Sequence, residues 1–302
     1  MERALRTIEV EIPGAGLGAL LPMLRGHARS ANTCAASPAL PALRYVRTGV
    51  VLDPVQIAAY SRVCGFADSQ GVPLTYPQLL AFPLVMAFLG SADCPWPAMG
   101  MVHLANRIEQ HARLYAGDLV RVELQTGALS SHDKGQLFTL DTRALRADTL
   151  VWQATQTLLR TGVAAPGGPA YVSAVAPFPP LSPQTDITAA RDIGRRYARV
   201  SGDYNPIHLS WLTARLFGFR RALAHGMWTK ARALAAVMPP DAVDRATATV
   251  EFKSPLYLPA QATLWTGAAA QGRAFEVRSA RGERLHLRGQ FSHAPGDRPA
   301  AT

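Results

Sequence analysis

The chain has 302 residues, 48% of them hydrophobic and 17% charged, which allows a sizeable core and excludes global disorder. That length exceeds one compact domain and suits two of about 150 residues. The formal net charge of +10 favours an anionic partner. Nucleic acid is not that partner: Arg195-Arg196 and Arg220-Arg221 are the only adjacent arginine pairs, and zinc-finger spacing and RNP-like aromatics are absent.

Near the N-terminus, residues 14–24 are apolar but too few to span a bilayer. Glu2, Glu9 and Glu11 around their start make a poor signal peptide, so the chain reads as soluble and cytoplasmic, with no membrane partner. Cys34, Cys64 and Cys94 form an odd, widely spaced set without a C-x-x-C, as expected of ordinary buried thiols in a reducing compartment. Residues 83–89 are almost wholly apolar. Period-two alternation predicts strands over residues 119–124, 136–142 and 150–159. Six prolines then fall between Pro166 and Pro183, together with Gly167 and Gly168, the composition of a linker. Beyond it, residues 188–201 are a candidate helix and residues 226–238 a better one, with Met227, Ala231, Leu234 and Met238 on one stripe. Strands follow over residues 246–252, 262–266, 275–279 and 284–291. In the last of these Leu285, Leu287 and Phe291 face one way, and Arg284, His286, Arg288 and Gln290 the other.

The two sides of the linker repeat one another. Tyr60-Ser-Arg-Val-Cys-Gly65 matches Tyr197-Ala-Arg-Val-Ser-Gly202, and Ile108-Glu109 with Leu114-Tyr115 matches Val250-Glu251 with Leu256-Tyr257. Each half is helix-rich first and strand-rich later, an α+β pair of layers. The domain reading is residues 1–161, a linker at 162–184, a second domain at 185–293 and a flexible tail at 294–302.

Chemistry concentrates in Tyr197-Ala-Arg-Val-Ser-Gly-Asp-Tyr-Asn-Pro-Ile-His208. Gly202 and Asn205-Pro206 break the helix into a tight turn. Asp203 and His208 stand at its two ends, where a turn can aim both at one water as an acid–base pair. Taken singly, an aspartate here caps or shapes a turn more often than it catalyses. Tyr204 and Asn205 shape the turn first and face substrate second, and His225 reads as structural. Gly226 opens the better helix, whose first N–H groups carry partial positive charge and lie open without a Cβ. An oxyanion site is built this way. The remaining histidines lack metal-ligand spacing, so no metal site is expected.

The string Tyr-x-x-x-Ser-Gly-Asp-x-Asn-Pro-Ile-His, followed by Gly218-Phe219 and His225-Gly226, resembles the MaoC-like (R)-specific enoyl-CoA hydratases and acyl dehydratases. The resemblance is strong over residues 191–238 and weaker over both halves, where it implies the double hotdog form, an antiparallel sheet wrapped on a long central helix in each half. It maps catalysis onto Asp203 and His208 and the oxyanion hole onto Gly226. Ser210 stands where many members carry an acid, and Leu223-Ala224 where many carry Pro-Ile; both departures bear on substrate preference. The implied reaction is reversible hydration of a trans-2-enoyl-CoA to an (R)-3-hydroxyacyl-CoA, in fatty-acid metabolism, without metal or redox cofactor, in a homodimer. Arg220, Arg221 and Lys253 are candidates for the phosphates of CoA. The competing readings are a dehydratase on carrier-protein-bound chains, an acyl-CoA thioesterase, and a non-catalytic acyl-thioester-binding module. At the repeat offset Asp203 falls on Phe66 and His208 on Gly71, so the first half is expected to be a non-catalytic copy. Its apolar residues 83–89 would be core or a wall beside a long acyl chain.

Overall fold

The computed structural model describes residues 5–10, 39–97 and 100–294. Residues 14–24, Cys34 and positions 295–302 of the expected tail lie outside them. The chain divides into two compact units that do not follow a single cut in the sequence. One comprises Met1–Val50, Pro77–Asn106 and Leu119–Ser173; the other comprises Val51–Tyr76, Arg107–Asp118 and Ala174–Thr302.

Among the described residues eleven strands and six α-helices follow a repeated order. The first copy contains β1 (Arg6–Glu9), β2 (Leu43–Val51), α1 (Pro54–Cys64), α2 (Pro77–Leu89), β3 (Met101–Gln110), β4 (Leu119–His132), β5 (Gly135–Arg146) and β6 (Thr149–Thr161). The second contains β7 (Ser182–Ala189), α3 (Ile193–Ser201), α4 (Pro206–Leu209), α5 (Trp211–Leu216), α6 (Gly226–Val237), β8 (Arg245–Phe252), β9 (Ala260–Ala268), β10 (Arg273–Ser279) and β11 (Leu285–Ala294). Strand order in the first unit is β1-β2-β4-β5-β6, and in the second β8-β11-β10-β9-β7. Matching β2, β4, β5 and β6 to β7, β9, β10 and β11 makes the two orders the same, as the sequence repeat requires.

In the first unit β4, β5 and β6 pair antiparallel and α2 packs against β4 and β5. Leu84 and Phe88 of that helix are fully buried, so residues 83–89 are helical core even though Pro83 lies inside the helix. In the second unit α6 packs against β10 and β11, with Ala231 and Leu234 fully buried. Lys230 is buried beside them and its amine donates to Ala248 O at 3.1 Å, so the hydrophobic surroundings push its pKa well down.

The second unit also holds α1, which meets α3. The rings of Tyr60 and Tyr197, equivalent in the repeat, lie 6.1 Å apart. Both helices stop at a left-handed glycine, Gly65 at φ 80° and Gly202 at φ 76°, a conformation in which a Cβ is strained. Three expectations shift. Residues 188–189 belong to β7, not to a helix: Thr188 pairs with Gln261 and Ala189 with Ala260. The same strand begins at Ser182 and so takes the end of the expected linker. In β11 His286 is buried instead of outward-facing, because a register break opposite Arg278 turns it toward Ser254, whose Oγ lies 3.2 Å from its Nδ1.

Candidate active site

The site grows from the end of α3. Ser201 Oγ accepts from Asp203 N (3.2 Å), Asp203 Oδ1 from Asn205 N (3.1 Å), and Asn205 Oδ1 from Ile207 N (3.3 Å). These short side chains supply the acceptors the turn needs between helices. Pro206 then starts α4, where its missing N–H costs nothing. The turn delivers His208 to the segment ahead of α6. That segment is ribbon-like: Ala224 N donates to Leu256 O, Leu258 N to Ala222 O, and Leu223 bridges Tyr257. His208 Nδ1 meets Leu223 O at 2.9 Å. A carbonyl only accepts, so Nδ1 carries the hydrogen and Nε2 keeps its lone pair. Gly194 on α3 is what lets this backbone in, since any side chain there would collide with His208 O.

His225 completes the cluster, packing beside the turn and hydrogen-bonding it as its structural reading implied. Its ring stacks on His208 with centroids 3.7 Å apart and 28° between planes, and it lies 4.8 Å from the Tyr197 ring. Its Nε2 donates to Asp203 O at 3.0 Å and lies 3.8 Å from Asp203 Oδ2. Burial pushes the His225 pKa down to about 3, with further lowering from His208 and an opposing pull from Asp203. Burial also lowers His208, against the pull of Asp203 and Leu223 O. Both imidazoles are therefore neutral at physiological pH.

Donor atoms of Asp203, His208 and His225 lie within 4.8 Å of one another, the spacing of a metal-ligand set. The bonding fits proton transfer better. Each imidazole spends one nitrogen on a backbone carbonyl, which leaves it the other for exchanging a proton.

Gly226 is the first residue of α6, so its N–H has no acceptor within the helix. A Cβ there would sit 3.0 Å from the Phe252 ring, so any side chain at this position would need that ring to give way. Of the other expected residues, Tyr204 is exposed at 37% and Asn205 is occupied by the turn. Arg220 is exposed, Arg221 lies over the Tyr257 ring at 5.7 Å, and Lys253 Nζ pairs with the buried Glu251. Lys253 is thus drawn to an internal carboxylate, away from the role of a free phosphate-binding cation.

The corresponding turn of the first repeat has a different content. Phe66 is buried and stacks on Tyr60. Gln70 caps Ala67 N and sends its amide to Ala235 O and Pro239 O at the end of α6. The helix after it begins at Pro77, which has no N–H. Carboxylate, imidazole and helix donor are all replaced.

A neutral imidazole base, a carboxylate and an open helix N-terminus in one place are the apparatus of a hydro-lyase acting next to a carbonyl. The family model described as "MaoC like domain" matches residues 176–271, the stretch that carries these groups. The 3-hydroxyacyl-thioester dehydratase X of Mycobacterium tuberculosis is 39% identical over 220 residues, covering 71% of this chain and 76% of that protein. A crystal structure of M. tuberculosis HtdX matches with a TM-score of 0.71 at 31% identity, over 83% of this chain and 100% of that one. A MaoC-like dehydratase from Phytophthora capsici has the same TM-score at 17% identity, over 85% and 96%, a likeness of fold alone. The chain belongs to the MaoC-like dehydratase family and is a hydro-lyase.

Proposed function

We propose that this protein reversibly hydrates trans-2-enoyl-CoA to (R)-3-hydroxyacyl-CoA, with Asp203 and His208 as its acid–base pair and Gly226 N–H as its oxyanion donor. The observation that carries the reading is the His208 Nδ1 bond to Leu223 O, which leaves Nε2 as a free base beside the Asp203 carboxylate. In hydration, the pair takes one proton from water as its oxygen bonds to C3. The electrons of the double bond move through C2 onto the thioester oxygen, and Gly226 N–H stabilises that enolate. The pair then returns the proton to C2. Dehydration is the same path reversed, and it draws its acid and base from the protein, without a metal or redox cofactor.

In this reading each unit is one hotdog and the chain a double hotdog, with residues 185–293 catalytic and the first repeat a scaffold. It works in the cytoplasm, as a homodimer. Incubation with enoyl-CoA thioesters from crotonyl-CoA upward, followed by loss of the conjugated absorbance and by thiol release, tests the reading. Hydration without thiol release is expected; thiol release in its place would make the protein a thioesterase.

A further inference from the structure

We propose that an arginine-lined pocket beside the catalytic ribbon binds the phosphorylated adenosine end of CoA. The proposal rests on the dehydratase reading and deepens it by choosing CoA over a carrier protein as the thioester donor. The pocket has a volume of about 480 Å³ and is lined by Arg221, Tyr257, Arg281, Glu283, Arg284 and His286, among others. That volume lies within the range of small-molecule sites. Three guanidiniums face one carboxylate. His286 adds no charge at neutral pH, because burial and the nearby Arg284 lower its pKa. Among the described residues none of the three arginines forms a salt bridge, in contrast to Lys253 with Glu251. Guanidinium forks bind phosphate oxygens in pairs, and uncompensated arginines around one cavity are a countercharge awaiting an anion.

The backbone around the arginines is well defined. Arg281 and Arg284 belong to the tight hairpin turn between β10 and β11, closed by Ser279 N to Arg284 O at 2.8 Å and Gly282 N to Ser279 O at 2.7 Å. Gly282 takes the left-handed φ of 76° that the turn needs. Arg221 is fixed from the other side by its stack on Tyr257, and that pair offers a flat face to a purine. Position also fits. The ribbon that begins at Arg221 reaches Gly226 five residues on, a span of about 16 Å at roughly 3.3 Å per extended residue. An extended pantetheine arm covers a distance of that order, so one ligand can hold its phosphates at Arg221 and its thioester at Gly226.

The test uses the full chain with Arg281→Ala, Arg284→Ala and the double variant. The readout is the ratio of kcat/KM for an enoyl-CoA to that for the matching N-acetylcysteamine thioester, which lacks the nucleotide. Removing one charge-assisted hydrogen bond weakens binding by about tenfold or more, so the ratio should fall at least about tenfold in the double variant. An unchanged ratio would overturn the proposal, and so would a larger decrease with a carrier-protein thioester than with the CoA thioester. Direct binding of adenosine bisphosphate, the nucleotide half of CoA, provides a readout independent of turnover. It should bind the wild type and weaken at least about tenfold in the double variant; equal binding by both, or none by the wild type, would overturn the assignment. Absence of turnover with every thioester would refute the dehydratase reading, while nucleotide binding abolished in the double variant would still place the nucleotide here.

Discussion

In the proposed mechanism His208 serves as a base, with its Nδ1 hydrogen spent on Leu223 O and its ring kept neutral by burial. Asp203→Asn and His208→Gln should each lower kcat by about 10²-fold or more, the scale of general acid–base assistance. The double variant should be little worse than the poorer single one, since the pair acts as a unit; near-wild-type turnover by either single variant would remove the mechanism. His225 makes a separate prediction. Its folded pKa of about 3 lies below the free value of 6.5, so under acid the unfolded chain binds more protons than the folded one. The stability that depends on this neutral ring is fully present above 6.5 and is lost as pH falls toward 3. Urea midpoints followed downward from neutrality should decline in the wild type and decline less steeply in His225→Gln. Equal slopes would show that His225 is not buried neutral.

At the level of elements, the backbone contacts around the site are as specific as its titrating groups. Gly194→Ala should lower kcat with the helix content intact, because the added methyl meets His208 O and displaces the imidazole without touching it; unchanged kcat on circular-dichroism-matched protein would contradict this. In the proposed reading the start of the helix that packs on each sheet separates the two copies, Gly226 of α6 in one and Pro77 of α2 in the other. Titration with a tight, non-reacting enoyl-CoA analogue should therefore find one site per chain, and two equivalent sites would show the first copy to be functional. Much of this layout was legible in sequence. β5 and β6 alternate because each contributes one face to core, Asp203 and His208 flank a turn whose chemistry is local, and Gly226 opens a helix. β7 escaped because most of its residues are exposed, leaving no alternation to read. α2 is apolar on nearly every side, so residues 83–89 carry no helical period. Arg281 and Arg284 were not singled out, since only the hairpin turn brings them to Arg221.

For the molecule as a whole, the compact units cut across the sequence repeat. Residues 51–76, from the first copy, pack with Ala174–Thr302, where Val63 O accepts from Trp228 Nε1 at 3.1 Å and Gln70 holds the end of α6. A chain restricted to Ala174–Thr302 would leave these groups unpaired and expose the Tyr197 side of α3. It should express as insoluble or inactive protein, and a soluble fragment with full turnover would show that the first copy is dispensable. No helix among the described residues is long and apolar enough to cross a membrane. The most direct measurement is turnover of crotonyl-CoA by the full chain, read as loss of conjugated absorbance with the configuration of the product determined. Hydration to the (R)-3-hydroxyacyl thioester is expected, reduced about 10²-fold or more in folded Asp203→Asn and His208→Gln. An (S) product, or full activity in both variants, would contradict the assignment of this site.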